Sequence, residues 1–329
     1  MKFRKEQLNG VEYRFDPLTG HQTRINPARA KRLMHTASDT GNIKEWANKT
    51  RGKCPFCPER VIEATPCFPS GLCKEGRIKS GETFIFPNLN PFSQHHAVAT
   101  LSPQHFLDVD QFDEALLAQN LTLSRDYFLA VYRYDHNARY PIYIWNYLPP
   151  SAGSIIHPHV QLMVERTPIP EQKKLFEKGK AYFEKEGNNY WDDLIEEERA
   201  HTERYIASVN NIHIMASYAP RGFREVTIIV QGISSFTALD EHQIATLAGS
   251  LSKVLKGYKS MGVGSFNMVS YSAGIDENFP HHTLHFKIVS RPYPRGVYTN
   301  DSGPFERFYD VWVIDTLPEE VAHTLSKMF

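Results

Sequence analysis

The order strand, helix, strand, small polar loop, histidine-rich strand occurs twice in this chain, and a repeat of that kind restricts the available folds more than any single motif does. In the first passage Thr83 to Phe86 and Ala97 to Leu101 read as strands. A helical pattern from about Val109 to His136 follows, with Asp108 and Gln111 spaced as a capping box, and Tyr140 to Asn146 reads as the next strand. In the second passage Glu225–Val230 is a strand, Asp240 and Gln243 cap a helix, and Ser265–Ser270 is a strand. A small-residue loop at Ser272 then leads into a histidine-rich run from Pro280 to Pro292. The expected fold class is α+β, built from duplicated units that are each a mostly antiparallel sheet with packed helices. The expected division is residues 1–168 for the first half, 169–210 for a connecting helical segment and 211–329 for the second half. The charged stretch from Pro170 to about Arg204 reads as a solvent-facing helix within that connection.

The chemistry concentrates where the first passage ends, at Asn146 to Gln161. His157, His159 and Gln161 stand at alternate positions, so in an extended segment two imidazoles and a carboxamide line one face. Ser151, Gly153 and Ser154 form a small polar loop directly upstream that suits close approach to an anion. Pro158 cannot donate to a sheet ladder, which predicts an edge or bulged strand. A strand with two incidental histidines is the plain alternative; a phosphate-handling site with a histidine nucleophile is the reading that uses the loop as well. The second passage lacks the His-x-His-x-Gln order, so a single active centre is expected for the duplicated unit.

Composition removes several function classes. Lys plus Arg equals Asp plus Glu at 37 each, so no global field favours nucleic acid or an anionic membrane. No apolar run is long enough to span a bilayer, and the polar start Met-Lys-Phe-Arg-Lys-Glu-Gln lacks the apolar core of a signal peptide. The four cysteines, two of them in Cys54-Pro55-Phe56-Cys57, suit a reducing compartment and a metal better than a disulfide framework. A cytoplasmic protein is therefore expected. The Cys-x-x-Cys has the bite that tetrahedral zinc prefers. Its remaining ligands could be Cys67 and Cys73, in a local knuckle, or distant histidines; a thioredoxin-like redox pair is a third reading without a supporting strand-to-helix context. A dense basic patch from Thr23 to Lys31 and Arg32 reads as a solvated turn or, beside a phosphate site, as an anion clamp through Arg29 and Arg32.

Several of these segments together resemble a known family. His157-Pro158-His159-Val160-Gln161, preceded by Asn146 and Gly153-Ser154, is similar to the active-site strand of the galactose-1-phosphate uridylyltransferases, within the histidine-triad group of nucleotidyl transferases and hydrolases. Leu18-Thr19-Gly20 with Pro27 to Arg32, Cys54-x-x-Cys57, Phe84-x-Phe86-x-Asn88 and Ser102-Pro103-x-His105 fall in the family's order, so the resemblance covers most of the chain. It implies duplicated histidine-triad-like units, and zinc held by Cys54, Cys57, His105 and His157. It further implies His159 as nucleophile, Arg29 and Arg32 on phosphates, Phe86 and Asn88 on the nucleoside, and Asn146, Ser154 and Gln161 on the reacting phosphoryl group. The implied partners are a nucleotide sugar or other nucleotide donor and a phosphate-bearing acceptor, and a homodimer is compatible with this.

The implied reaction is ping-pong nucleotidyl transfer through a nucleotidyl-histidine, and Gln161, where histidine-triad hydrolases carry His, favours transfer over hydrolysis. Two departures stand out, one near the ribose and one at the family's extra, non-catalytic metal site. Leu89 follows Asn88 where the family usually has Asp, and the second half reads Thr283-Leu284-His285-Phe286-Lys287 where the family has Leu-His-x-His. They suit a divergent relative, with a phosphorylase acting on ADP-glucose or a dinucleoside polyphosphate as the alternative to a UDP-glucose–hexose-1-phosphate uridylyltransferase. A nucleotide-binding protein without catalysis is the alternative of another class.

Overall fold

The computed structural model describes residues 1–31, 42–81, 83–277, 279–295 and 300–329. Strands β1 (Arg4–Leu8), β2 (Val11–Phe15) and β3 (Gln22–Ile25) form an antiparallel meander. Among the described residues ten strands make the main sheet: β4 (Ile78–Ser80), β5 (Thr83–Pro87), β6 (His95–Thr100), β7 (Tyr140–Tyr147), β8 (His159–Glu165), β9 (Tyr205–Val209), β10 (Ile212–Ala216), β11 (Phe223–Val230), β12 (Ser265–Tyr271) and β13 (His285–Arg291). Their spatial order is β4-β5-β6-β8-β7-β12-β13-β11-β10-β9, with neighbours antiparallel. The last strand, β14 (Val311–Ile314), returns to pair in parallel with β3.

The duplication is visible in that order. β5-β6-β8-β7 and β10-β11-β13-β12 are the same arrangement, joined where β7 meets β12 with Asn146 opposite Asn267. The helices are α1 (Ile43–Arg51), α2 (Val61–Ala64), α3 (Glu114–Tyr134), α4 (Pro170–Glu186), α5 (Tyr190–His201), α6 (Glu241–Ser260), α7 (Pro304–Tyr309) and α8 (Pro318–Leu325). α3 and α6 hold equivalent places in the two units and pack on each other. Strand alternation then sorts the sheet's two faces. Ile85, Ala97, Ala99, Tyr143, Trp145, Val160 and Leu162 face the core shared with α3 and α6. Phe84, Phe86 and Val98 point the other way and pack with Val61. His159 and Gln161 alternate with Val160 and Leu162, so they too lie on this second face.

Three expectations change. The Asp108–Gln111 capping box forms, but it closes a single 3-10 turn over Val109–Gln111. Phe112 then takes an extended backbone and sinks its ring edge-on against Trp145 and Tyr147, so α3 starts afresh with Asp113 accepting from the Leu116 N–H at 2.9 Å. The histidine strand is central rather than an edge, flanked by β6 and β8's other neighbour β7. Pro158 sits just before the ladder and needs no donor there; its carbonyl accepts from the Leu101 N–H at 3.0 Å. The charged connection is two helices, broken where Gly187 adopts φ +80° and Asn189 caps α5. It is not simply solvent-facing: Leu175, Tyr190, Trp191, Leu194 and Ile195 bury a second core against Met215 and Ile229. β1–β3, β9 and β10 were not marked out by sequence pattern. Among the described residues no helix is long and apolar enough to cross a membrane.

The small sheet is tied to the body by charge. Arg14 of β2 grips Glu319 of α8 through two bonds of 2.9 and 3.0 Å, and Arg204 adds one of 3.1 Å. Burial pushes the Glu319 carboxyl up, but the guanidiniums outweigh it and hold the group below its ordinary 4.5. A carboxylate lowered on folding stabilises above its unfolded value and loses that contribution as pH falls through the folded one. Glu319→Gln is therefore expected to cost about 1–2 kcal/mol at pH 7, kept small because the carboxylate is partly exposed. Denaturant titrations should show the difference from wild type shrinking as pH drops below about 4.5.

Candidate active site

Four potential metal ligands converge at one end of the first unit. Cys54 and Cys57 come from the turn after α1, His105 from the loop after β6 and His157 from the segment entering β8, all buried, with donor atoms within 4.8 Å of one another. Cys57 Sγ lies 3.4 Å from His105 Nδ1 and 3.6 Å from His157 Nδ1. Tetrahedral zinc with ordinary Zn–S and Zn–N bonds would separate such atoms by about 3.6 Å. The rings are turned for ligation. His157 Nε2–H donates to the Ser102 carbonyl at 2.8 Å. The Thr50 hydroxyl donates to α1 carbonyls and so accepts from His105 Nε2–H at 2.9 Å. Both Nδ1 lone pairs therefore face the thiols, as metal-binding histidines require.

The electrostatics agree. Burial, with the nearby Cys54, pushes the Cys57 thiol up to about 12, and burial lowers His157 to about 4 and His105 in the same direction, so in the bare protein the rings stay neutral and the Cys57 thiol protonated. A cation is the group that would stabilise two thiolates here. This buried Cys₂His₂ group can hold a metal ion. Cys67 is exposed and Cys73 donates to Glu75, so neither joins it, and all four cysteines are free of disulfides.

His159 opens on the same side. Its Nδ1–H donates to the His157 carbonyl at 2.7 Å, which leaves Nε2 as the unprotonated nitrogen. Burial lowers its pKa, so the ring is neutral near pH 7. It borders a pocket of about 220 Å³ that is also lined by Phe56, Phe86, Asn88, Val98, Ser154, Ile155 and Gln161. Phe56, the residue between the cysteines, sets its ring edge-on to both His159 (5.1 Å) and His157 (6.3 Å) and against Phe86 (5.3 Å). Both imidazoles thus lie on one side of the strand, and the metal-binding turn forms a wall of the pocket.

The loop that raises Ser154 is held tightly. The Leu148 carbonyl accepts from the Ser151 N–H, the Ser151 hydroxyl and the Gly153 N–H. Leu148 (φ +71°) and Ala152 (φ +67°) occupy conformations that favour glycine. A Cβ on Gly153 would come 2.7 Å from the Asn146 carbonyl and 3.0 Å from that of Leu148, both backbone atoms. Asn146 is fixed from the second unit: Asn267 Nδ2 donates to its Oδ1 at 2.7 Å and to the Ser151 carbonyl at 2.8 Å. Arg291 donates to Asn267 Oδ1 at 2.8 Å and is itself paired with Asp301.

Of the residues marked from sequence, His159, Gln161, Ser154, Phe86 and Asn88 line the pocket, and Cys54, Cys57, His105 and His157 form the ligand group. Asn146 stands beside the pocket on the same sheet face and is not among its lining residues. Arg29 is exposed on the short turn Pro27–Lys31 and is not among the lining residues, and Arg32 lies outside the described residues. His96, Phe56, Val98 and Asn267 were missed. Period-2 alternation from Val98 would have put His96 on the pocket face; the Asn267 contact depends on strand register between the two units and has no local signal.

No family model matches the chain. An uncharacterized protein of Archaeoglobus fulgidus is 30% identical to it, over 100% of this chain and 99% of the archaeal one. The chain belongs to that protein's family. Among solved structures it is similar to an ADP-glucose phosphorylase from Arabidopsis thaliana with bound ADP-glucose, at 20% identity and TM-score 0.75 over 96% of this chain and 99% of that one. A galt-like protein from the same plant matches at 20% identity and TM-score 0.73, over 96% and 98%. A uridylyltransferase matches at 21% identity and TM-score 0.70, over 96% and 97%. The fold is the uridylyltransferase fold, as the resemblance implied.

Because a Cβ at position 153 can be accommodated only by moving backbone, Gly153→Ala is expected to lower stability by about 1–3 kcal/mol. Thermal or denaturant unfolding checks this, and a structure of the variant should show Ser154 displaced from the pocket.

Proposed function

We propose that the chain is a nucleotidyltransferase of the uridylyltransferase type, working through a covalent nucleotidyl-histidine on His159. One observation carries this reading: the His159 ring commits Nδ1–H to a backbone carbonyl and keeps its other nitrogen free at a pocket shared with Gln161 and Ser154. In the first half-reaction Nε2 forms a bond to the α-phosphorus of a nucleotide donor as the bond to the leaving phosphate oxygen breaks. The developing positive charge on the imidazole is shared with the His157 carbonyl through Nδ1–H. In the second, an oxygen of a phosphate-bearing acceptor attacks the same phosphorus and the N–P bond breaks, restoring the neutral ring. Gln161 and the Ser154 hydroxyl are placed to donate to non-bridging oxygens. The apolar slot of Phe56, Phe86 and Val98 suits a base, with Asn88 at its rim. Asn146 and the Arg29 and Arg32 side chains complete the proposal as phosphate contacts carried by the resemblance.

The metal is proposed to be zinc, held by Cys54, Cys57, His105 and His157. Four protein ligands leave no open position, so its contribution is to pin His157 and stabilise the fold. A second reading, a phosphorylase using an adenylylated donor and inorganic phosphate, is favoured by Leu89. That side chain is 71% exposed at the pocket rim, where the family resemblance leads one to expect an acidic contact. The likeness to a structure holding ADP-glucose points the same way.

Incubation with UDP-glucose or ADP-glucose labelled at the α-phosphate should leave label on the wild-type protein and none on His159→Ala. Absence of label from every nucleotide donor, with nucleotide still bound, would make the protein a binder rather than a transferase. The donor that labels, and release of nucleotide to phosphate or to a sugar 1-phosphate, decides between the two readings. Metal analysis should find about one zinc per chain in the wild type and its loss in Cys54→Ser.

A further inference from the structure

His96 is buried on β6, on the pocket side of the sheet, next to two residues that line the pocket. Its Nε2 lies 2.9 Å from Gln161 Oε1 and 3.1 Å from Asn88 Nδ2. One proton cannot serve as donor to the first and be absent for the second, so the ring's tautomer decides what both amides present. The Phe92 backbone N–H points at Nδ1 from 3.4 Å, and a backbone N–H can only donate. Nδ1 is therefore the lone-pair nitrogen and Nε2 carries the hydrogen. That hydrogen goes to Gln161 Oε1, the shorter of the two contacts, so the 3.1 Å approach of Asn88 Nδ2 brings two donors together and is not a hydrogen bond; the Asn90 backbone N–H holds Asn88 Oδ1 at 2.9 Å. With its oxygen turned to His96, the Gln161 carboxamide carries its NH₂ on the other side of the group. The Phe92 ring packs edge-on against His96 at 4.4 Å.

We propose that His96 is the positioning residue that sets the amide orientation of Gln161, so that a hydrogen-bond donor faces the phosphoryl group. An unanchored glutamine can turn either its oxygen or its nitrogen to the pocket, and an oxygen there would repel the phosphate. His96 acts as a neutral ring, since a carboxamide oxygen needs a donor and not a charge. This rests on the transfer reading above and adds to it a residue that never touches the substrate.

The test pairs two substitutions. His96→Gln keeps an N–H donor near the place of Nε2, and His96→Leu keeps the volume without a donor. His96→Leu is expected to slow labelling of His159 by roughly ten- to a hundredfold, mostly in kcat with KM nearly unchanged, and His96→Gln to recover most of the rate. Matching thermal midpoints would exclude a folding defect as the cause. Equal losses in the two variants, or a loss entirely in KM, would overturn the proposal. Nitrogen-15 NMR of the histidine rings supplies a readout independent of activity: the signal that both variants lose should be that of an Nε2–H tautomer. An Nδ1–H tautomer refutes the proposal even in an active enzyme. If the wild type takes no label, the transfer reading fails while the tautomer still judges His96.

Discussion

A single hydrogen bond, from His159 Nδ1 to the backbone carbonyl of His157, joins the two parts of the site. On one side of it stands a ring whose remaining nitrogen faces the pocket. On the other stands a ring whose Nδ1 faces two thiols and whose Nε2–H is held by Ser102. Whatever fixes the Cys₂His₂ group thereby fixes the carbonyl that chooses the tautomer of His159. The four-ligand group need not border the pocket to set what faces it. The chain from α1 through Thr50 and His105 reaches the same point, so three separated parts of the sequence, the α1 region, the loop after β6 and the entry to β8, constrain one imidazole.

The second unit repeats the bond and shows what else is required. His285 stands at the first position of β13 as His159 does in β8, and its Nδ1–H donates to the Thr283 carbonyl at 2.8 Å. There the likeness stops. Trp191 of α5 lies against the His285 ring at 3.8 Å and Tyr271 stacks on it at 4.8 Å; the ring is fully buried and, among the described residues, its Nε2 has no hydrogen-bond partner. Lys287, at the place of Gln161, is paired with Glu225 at 2.8 Å. A smaller cavity of about 50 Å³ beside it is lined by Lys287 and by Arg221, which is paired with Glu171 at 2.7 Å. A correctly held imidazole becomes a candidate nucleophile only where a pocket remains open. In the first unit Phe56 stands edge-on and leaves that space; in the second the inserted α4–α5 pair fills it.

What was legible in the sequence is what is local along the chain. Alternation placed His159 and Gln161 on one face, the small residues at 151–154 marked the loop, and Cys54-x-x-Cys57 marked the ligand turn. The order of elements exposed the duplication. The errors have physical causes. Pro158 suggested an edge strand because its missing N–H was assumed to fall within the ladder, whereas it falls one residue before it. The capping box at Asp108 was genuine but served one turn, since burying Phe112 required an extended residue before α3. The charge of the α4–α5 segment concealed apolar positions that only the second unit's core reveals. His96 lay unnoticed because its partner, Gln161, is 65 residues away and meets it only through the β6–β8 register.

Register also explains why the two units cannot be treated as one working half and one inert half. The sheet is continuous across β7 and β12, and at that seam Asn267 spends both of its N–H groups on the first unit, one on Asn146 and one on the Ser151 carbonyl beneath the polar loop. Its oxygen is held by Arg291, which Asp301 grips through bonds of 2.6 to 3.1 Å. Every polar group of the Asn267 side chain is thus committed, so it has one orientation and transmits it to Asn146. A slip of one residue between β7 and β12 would turn Asn267 to the opposite face and remove the support. The second unit, with His285 buried beneath α5, still acts at the seam as the wall against which the loop of the first is set.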